Sequence, residues 1–318
     1  MTQRNTQTIN VRLYTDFRAC NYSCPYCIDG HRHHEQQWQA DNFRLIIHRL
    51  TALPYRINVR IGVKGEFFLN QTLIEGARIL SQADNVCSLN LITNLSFSYH
   101  QFQKFFRDFD QQKIALVASY HPTEVTDKKK WIRTACRLKE KYDLAVVLVA
   151  YPPLIKVLPE IKAELVAQGL DVFIQAFIGD HHGQVYPAAY TAAEKKYLRP
   201  VFYSRHDYEF FVELKRPGLC NAGYRSFFVD MSGLVRSCGM GTASPVLGNL
   251  LSPNPDIQLF DSPRPCPNET CLCDTENINT VIFEQHYQHI GRNQHRYVYR
   301  FQAQGKLTPT KDEWKIEY

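Results

Sequence analysis

"INVRLYTDFRACNYSCPYC", residues 9–27, joins a strand-like run to three closely spaced cysteines. Residues 9–16 have the apolar and polar spacing that predicts a β-strand. Cys20, Cys24 and Cys27 follow that strand with the spacing C-x3-C-x2-C. Thiols crowded in this way are typical of a metal centre rather than of disulfides in a reducing compartment. The segment therefore predicts a first strand with a metal centre directly after it.

Strands and helices alternate through the following part of the sequence. Further strands are predicted at 57–63, 87–93, 113–120, 144–151 and 171–179, and helices at 39–53, 71–83, 99–109, 128–142 and 158–168. Short apolar strands linked by helices predict a parallel α/β sheet. Six such β/α units predict an open, partial (βα)6 barrel of the TIM type. Active sites in these sheets lie at the carboxyl ends of the strands.

The organisation of the chain changes after the predicted barrel. We expect the barrel in 1–180, a connector or lid rich in aromatic residues in 181–216, and a C-terminal helix and tail in 276–318. Residues 217–275 contain five more cysteines and little helical pattern. Alternating segments around "MSG" predict a β-hairpin there. We expect 217–275 to form a small, metal-bound domain.

The composition limits the class of protein. Of the 318 residues, 44% are hydrophobic and 21% charged, as in ordinary globular domains. The polar N-terminus and the lack of a long apolar run predict a cytoplasmic protein with no membrane partner. The net charge of +6 suits an anionic substrate or cofactor. Nucleic-acid binding is not indicated, because no long block of basic residues occurs.

The first cysteine group has two possible metal centres. Three thiolates can bind one [4Fe–4S] cluster and leave the fourth iron open, whereas such clusters usually take four cysteines. A zinc site would need a fourth ligand, for which His31, His33 and His34 are available. His31 is also a candidate for substrate contact or acid–base chemistry, because its pKa range allows both.

The cysteine spacing, with Tyr26 before the last cysteine and the motif after the first strand, resembles the radical S-adenosylmethionine (radical SAM) superfamily. The resemblance implies that the open iron binds the amino and carboxylate groups of S-adenosylmethionine (AdoMet). One electron then cleaves AdoMet, and the 5′-deoxyadenosyl radical takes a hydrogen atom from the substrate. An electron donor such as flavodoxin or ferredoxin is implied as a partner.

The same resemblance implies AdoMet contacts at the ends of the next strands. "VKGEFF" retains the glycine and glutamate of the family's usual Gly-Gly-Glu-Pro motif but departs from it at Lys64 and Phe67. The implied AdoMet-binding residues are Tyr26, Gly65, Glu66, Thr93, Asn94 and Ser119. His121 has two interpretations, as a site residue or as a turn residue before Pro122.

The second cysteine group resembles the SPASM and twitch domains that follow many radical SAM barrels. Cys220, Gly233 and Cys238 have the spacing C-x12-G-x4-C. Cys266, Cys271 and Cys273 complete a set of five, which implies a single auxiliary [4Fe–4S] cluster bound by four of them. Two clusters are therefore expected in all. A structural zinc or a purely structural cluster is the alternative.

Three functions remain open at this point. The first is a radical SAM enzyme that oxidises, epimerises or rearranges a small molecule. The second is a radical SAM enzyme that modifies a ribosomally synthesised peptide, and the third is a non-catalytic iron–sulfur or zinc protein. The first strand begins near Ile9, which leaves no room for a leader-binding domain before it. That observation favours the small-molecule substrate.

Overall fold

A computed structural model describes residues 8–27, 37–62, 64–202, 205–214, 219–239 and 244–265. Strands and helices alternate through the first part of the chain. They are β1 (Ile9–Tyr14), α1 (Gln37–Thr51), β2 (Ile57–Gly62), α2 (Gln71–Gln82), β3 (Val86–Thr93), α3 (Tyr99–Phe105), β4 (Ile114–Ser119), α4 (Lys128–Lys139), β5 (Asp143–Ala150), α5 (Leu158–Ala167) and β6 (Val172–Ala176). Short 3₁₀ turns occur at Phe67–Leu69, Gln111–Lys113 and Pro152–Leu154.

Strands β1 to β6 form one parallel sheet in chain order. The predicted α/β class with a large parallel sheet is therefore confirmed. The predicted helix over 99–109 is too long, because α3 ends at Phe105. Phe106 and Phe109 are buried beyond that end, so their apolar spacing extends the helical pattern without continuing the helix.

Alternation within the strands gives the sheet two different faces. Val11, Leu13, Val59 and Ile61 are fully buried in the main hydrophobic core, together with the inward side of α1 around Phe43. Burying one such aliphatic side chain contributes about 2 kcal/mol relative to leaving it exposed. The helices therefore pack on one face of the sheet, and the alternate residues of each strand lie on the opposite face. We call β1 to β6 with their helices the half-barrel, and this opposite face its inside.

The segment after β6 is a short hairpin followed by two helices. The elements are β7 (Gly179–His181), β8 (Gln184–Tyr186), α6 (Ala192–Leu198) and α7 (Arg205–Phe211). Strands β7 and β8 pair antiparallel in a separate two-stranded sheet. This part coincides with the aromatic-rich connector, and its role as a lid remains a prediction.

The second cysteine region extends the main sheet. Its strands are β9 (Leu219–Cys220), β10 (Ser226–Val229), β11 (Leu234–Arg236), β12 (Val246–Asn249) and β13 (Arg264–Pro265). β10 pairs parallel with β1, and β11 and β12 follow antiparallel, so the sheet order is β12-β11-β10-β1-β2-β3-β4-β5-β6. The hairpin predicted around "MSG" is β10 and β11. It covers the edge of β1 that the half-barrel leaves open.

The hairpin turns at a glycine. Gly233 has a φ of +75°, and an added Cβ would lie 2.4 Å from Leu251 Cγ. Both observations require glycine at this position. The division of the chain into a barrel and a separate small domain remains a prediction, as does the helix expected in 276–318, which lies outside the described residues.

Within the described ranges, no helix combines the length and the apolar character that a membrane crossing requires.

Candidate functional site

The first cysteine group lies in the loop after β1, at the carboxyl edge of the parallel sheet. Cys24 is buried, Cys20 is half-buried and Cys27 is exposed. The backbone N–H of Tyr22 donates to Cys20 Sγ at 3.4 Å, and the N–H of Cys27 donates to the carbonyl of Cys24 at 3.0 Å. Hydrogen bonds to thiolate sulfur are among the features that tune iron–sulfur sites.

Side chains and backbone from the next three strand ends bind this cysteine loop. The bonds are Glu66 N–H to Ala19 O at 2.6 Å, Asn94 Nδ2 to Asn21 Oδ1 at 2.9 Å, and Ser23 N–H to Glu124 Oε2 at 2.9 Å. The partners come from the loops after β2, β3 and β4 in turn. The cysteine loop is therefore fixed to the carboxyl edge of the sheet along three neighbouring strands.

Gly65 allows the loops after β1 and β2 to approach each other closely. A Cβ at this position would lie 2.2 Å from the carbonyl oxygen of Ala19 and 2.8 Å from its carbonyl carbon. Backbone atoms cannot move aside as a flexible side chain can. Glycine at position 65 is therefore a condition for the position of Cys20, the residue after Ala19.

Glu66 joins the loops after β2 and β3 through its buried carboxylate, and the residue is 2% exposed. Oε1 accepts from the Thr93 hydroxyl at 2.7 Å and from the Phe68 backbone N–H at 3.3 Å, and Oε2 accepts from the Asn94 N–H at 2.6 Å. Burial raises the pKa of Glu66 to about 7, although the hydrogen bonds from Asn94, Thr93 and Phe68 act in the opposite direction. Glu66, Thr93 and Asn94, which the sequence analysis grouped, are thus in direct contact.

The thiols are also held close to negative charge. Burial raises the pKa of Cys24 to about 12, and the charges of Glu124, Cys20 and Cys27 contribute to the same shift. Burial raises the pKa of Cys20 as well. Three thiolates that repel one another in this way need a cationic centre to stay ionised. The donor set therefore fits a metal cluster.

Tyr26 projects from the cysteine loop into a cluster of aromatic and histidine rings. Its hydroxyl lies 3.1 Å from His121 Nδ1, and its ring lies 4.9 Å from that of Tyr151. Burial raises the pKa of Tyr26. Burial lowers the pKa of His121 to about 4, although Glu124 acts in the opposite direction, so this imidazole is neutral at pH 7.

The ring cluster continues toward β7. The Tyr151 hydroxyl lies 3.2 Å from His181 Nδ1, and the rings of His181 and His182 are 4.2 Å apart. Tyr151 follows β5 and His181 ends β7. Residues from several strand ends therefore surround Tyr26. The remaining predicted contact residue, Ser119, is half-buried at the end of β4 on the same edge.

The second cysteine group is described only in part. Cys220 belongs to β9, where it pairs with Arg264 of β13, and the N–H of Ala222 donates to Cys220 Sγ at 3.4 Å. Cys238 is buried after β11. A Cβ on Gly223, whose φ is +82°, would lie 2.9 Å from Ser237 Cβ, so the segments after Cys220 and before Cys238 touch.

Several predicted site residues lie outside the described residues. They are His31, Cys266, Cys271 and Cys273. In the part of the chain that the structure describes, no three His, Cys, Asp or Glu side chains converge as one metal ion would require. A [4Fe–4S] cube makes a different demand, because each of its thiolates binds a different iron.

The sequence analysis missed several residues that organise this site. Glu124 binds the cysteine loop, and Tyr151 and His181 extend the ring cluster around Tyr26. Glu124 follows His121 by three residues after the fourth predicted strand, and that position could have marked it as a site residue. Tyr151 is the last residue of the predicted fifth strand and carried the same signal.

No protein-family model matches this chain, and no curated protein matches it. Solved structures do. Native anSMEcpe with bound AdoMet and Cp18Cys peptide aligns with a TM-score of 0.52 and 12% identity, over 76% of this chain and 77% of that one. Streptococcus suis SuiB bound to precursor peptide SuiA aligns with a TM-score of 0.50 and 11% identity, over 76% and 62%. Coproporphyrinogen III oxidase (HemN) from Escherichia coli, a radical SAM enzyme, aligns at 0.47 and 11%, over 77% and 66%.

Fold and site together define an α/β half-barrel with a three-cysteine loop fixed to the carboxyl edge of its sheet. The described part of the chain has the fold of anSMEcpe and SuiB, the two of these structures whose TM-scores reach 0.5.

Proposed function

We propose that this chain is a radical SAM enzyme that abstracts a hydrogen atom from its substrate. The observation that carries the proposal is the cysteine loop, whose three thiols follow β1 and which is hydrogen-bonded to the loops after β2, β3 and β4. This is the edge at which parallel β/α sheets bind their ligands. The fold shared with AdoMet-bound anSMEcpe supports the proposal.

Cys20, Cys24 and Cys27 would hold a [4Fe–4S] cluster through three of its irons. When bound, the cluster and AdoMet supply the electron transfer and the 5′-deoxyadenosyl radical that takes a hydrogen atom from the substrate. The role of the protein is to fix the thiols and to exclude water. Burial of Cys24 and the hydrogen bond to Cys20 Sγ serve both purposes.

The AdoMet-binding residues would be Tyr26, Gly65, Glu66, Thr93, Asn94 and Ser119. Tyr26 belongs to the cysteine loop after β1, and the other five lie at or just after the carboxyl ends of β2, β3 and β4. Glu66 would act mainly by holding the loops after β2 and β3 together, because its carboxylate accepts hydrogen bonds from Thr93 and Asn94. A direct contact between the Glu66 carboxylate and the AdoMet ammonium remains part of the proposal.

His121 would serve as a positioning residue for the cysteine loop. Its Nδ1 lies 3.1 Å from the Tyr26 hydroxyl, and its ring faces those of Tyr22 and Tyr26 at 5.9 and 5.8 Å. A neutral imidazole in this position can accept a hydrogen bond from Tyr26 without adding charge beside the thiolates. His31 stays a candidate for substrate contact or acid–base chemistry.

The second cysteine group would bind one auxiliary [4Fe–4S] cluster in a twitch-like arrangement. Cys220 and Cys238 would supply two ligands, and two more would come from Cys266, Cys271 and Cys273. Contact between Gly223 and Ser237 supports this assignment, because it joins the segments that carry the first two cysteines. The cluster would accept or relay an electron.

The substrate would be a small molecule that is oxidised, epimerised or rearranged, with a flavodoxin or ferredoxin as electron donor and a cytoplasmic location. Modification of a ribosomally synthesised peptide is the second candidate. The peptide-bound structures of anSMEcpe and SuiB support that candidate through the shared fold.

Anaerobic reconstitution with iron and sulfide tests the proposal. The wild-type chain should bind roughly eight irons and should form 5′-deoxyadenosine when dithionite and AdoMet are added. Cys24→Ala should lose about half of the iron and all 5′-deoxyadenosine formation. Cys136→Ala, a half-buried cysteine on α4, is the matched control and should keep both. Zinc in the first cysteine group, or a cluster there that does not support AdoMet cleavage, would contradict the proposal.

A further inference from the structure

Two neighbouring strands of the nine-stranded sheet, β1 and β2, carry the same tetrapeptide, Ile-Asn-Val-Arg. It occupies residues 9–12 in β1 and 57–60 in β2. The strands are parallel neighbours and pair in register, Asn10 with Asn58 and Arg12 with Arg60. Identical residues therefore stand side by side across the two strands.

The asparagines and arginines face the inside of the half-barrel. The alternate residues Val11 and Val59 are fully buried in the core beneath the helices, which assigns the opposite face to Asn10, Arg12, Asn58 and Arg60. The two asparagines are hydrogen-bonded to each other and to Ser88 along the sheet. Asn58 Nδ2 donates to Asn10 Oδ1 at 3.0 Å, and Ser88 Oγ donates to Asn58 Oδ1 at 2.9 Å.

The arginine row carries two like charges on neighbouring strands. Adjacent strands lie about 4.8 Å apart, and like charges directly opposite destabilise a sheet. The register continues to Phe228 beside Arg12 and to Asn90 beside Arg60. The acidic residue of this row, Asp143, belongs to β5, three strands away from Arg60.

Arg60 has hydrogen-bonding capacity that the described residues do not use. It is half-buried, and its Nε is buried without a hydrogen-bond partner among the described residues. The ion pairs of the described residues do not include it. A guanidinium in such a place binds phosphate or carboxylate through two parallel N–H groups. A bound anion would also relieve the repulsion between the two arginines.

The two arginines lie close to the carboxyl edge of the sheet, where the proposed reaction takes place. Arg12 and Arg60 each precede the last residue of their strand by two positions, and the loops after these strands contain Cys20 and Gly65. We propose that Arg12 and Arg60 form an anion-binding site inside the half-barrel that holds the phosphate or carboxylate group of the substrate. This inference rests on the proposed function and adds the chemical class of the substrate.

An apolar cluster on the inner face of β3 to β6 suits the uncharged part of such a substrate. Val117 and Ala145 are buried there, with Ile92, Val147 and Phe173 packed against them. These residues belong to β3 through β6. An anionic group bound at β1 and β2 would therefore direct the apolar part of the molecule toward β4 and β5.

Thermal unfolding of the reconstituted protein, with anions exchanged for chloride at constant ionic strength, tests the site. Millimolar phosphate and malonate are the two probes, and they distinguish a phosphate site from a carboxylate site. Either or both should raise the Tm of the wild-type chain by about 2 °C or more. Arg60→Gln and Arg12→Gln should each lose that rise. Arg44→Gln, an exposed α1 residue paired with Asp41, is the matched control and should keep it.

Three results would overturn the inference. They are no rise in the wild-type chain with either anion, an undiminished rise in both variants, and a rise that AdoMet abolishes, since the arginines would then bind the cofactor's own carboxylate. If one variant does not fold, the other variant and the wild-type measurements still decide. Failure of the proposed function is detected separately, as absent 5′-deoxyadenosine formation by the wild-type chain, and leaves the anion measurement intact.

Discussion

The two cysteine groups are attached to the sheet by different kinds of interaction. The first group is held by the side chains of Asn94 and Glu124 and by the backbone N–H of Glu66, and the Glu66 carboxylate in turn fixes Asn94. The second region is attached by backbone pairing of β10 with β1, while its strands β9 and β13 pair with each other in a separate sheet. Side-chain bonds to a buried carboxylate depend on its protonation, whereas a backbone ladder does not titrate.

This difference suits two different tasks. A loop fixed by several side chains presents its thiols in one geometry, which a cluster with an open iron would need for binding a cofactor. A cluster that only accepts or relays an electron needs its four ligands but no open position. We therefore expect the two regions to lose their clusters independently and to respond differently to pH.

The largest effect is expected from Gly65→Ala. The new Cβ would lie 2.2 Å from the Ala19 carbonyl oxygen, so the cysteine loop must move away from the sheet. The variant should lose about half of its iron and all 5′-deoxyadenosine formation, and its folding stability should fall by about 1–3 kcal/mol. Iron analysis, product chromatography and urea unfolding measure these changes.

Gly169→Ala is the control for this substitution. Gly169 has a φ of +77° but open space around its Cβ position, so alanine there costs backbone strain without displacing the cysteine loop. It should keep its full iron content. A Gly65→Ala variant that keeps both iron and AdoMet cleavage would show that close approach of the two loops is not required.

The converse variant is Gly223→Ala in the second region. Its φ is +82°, and a Cβ would lie 2.4 Å from Phe260 Cε2 and 2.9 Å from Ser237 Cβ. We expect loss of the auxiliary cluster with AdoMet cleavage retained at the first, because the two anchoring networks are separate. Mössbauer or electron paramagnetic resonance spectra of the two glycine variants distinguish the clusters. Loss of both clusters in either variant would contradict independent anchoring.

The last expected effect concerns stability alone, without loss of iron, and is a pH dependence from Glu66. Its pKa rises from 4.5 to about 7 on folding, so its contribution to stability is fully present below pH 4.5 and is lost as pH rises through 7. The loss amounts to about 3 kcal/mol in the free energy of unfolding. Urea unfolding of wild type and Glu66→Gln between pH 5 and 8 measures it.

The difference between the two proteins isolates Glu66. The glutamine variant has no charge to desolvate, so its stability should gain on that of the wild type as pH rises. The low pKa of His121 changes stability between about pH 4 and 6.5, but this contribution is common to both chains and cancels in the difference. Unfolding free energies that remain parallel across this range would mean that Glu66 does not titrate near neutrality.

Much of this arrangement was predictable from local patterns. Apolar alternation identified the six parallel strands, and the spacing of Cys20, Cys24 and Cys27 predicted a metal site in the loop after the first one. The positions of Glu66 and Asn94 at successive strand ends predicted that they share one edge. These predictions depend on residues close together in the chain, whose spacing is fixed by the backbone.

Other features depend on which strands become neighbours. The bonds from Thr93 and Asn94 to the Glu66 carboxylate need the loops after β2 and β3 in contact, and the binding of the cysteine loop by Glu124 crosses 101 residues. The two Ile-Asn-Val-Arg segments can be found in the sequence, but only the pairing of β1 and β2 in register makes their arginines adjacent.

The sequence by itself therefore determined the α/β class, the six strands and the thiol loop, because periodicity and spacing act over a few residues. Tertiary structure decided that β10 covers the edge of β1, that Glu66 is buried between the loops after β2 and β3, and that Arg12 stands beside Arg60. Each of these depends on sheet order and register, which follow from packing of the whole core rather than from any one segment.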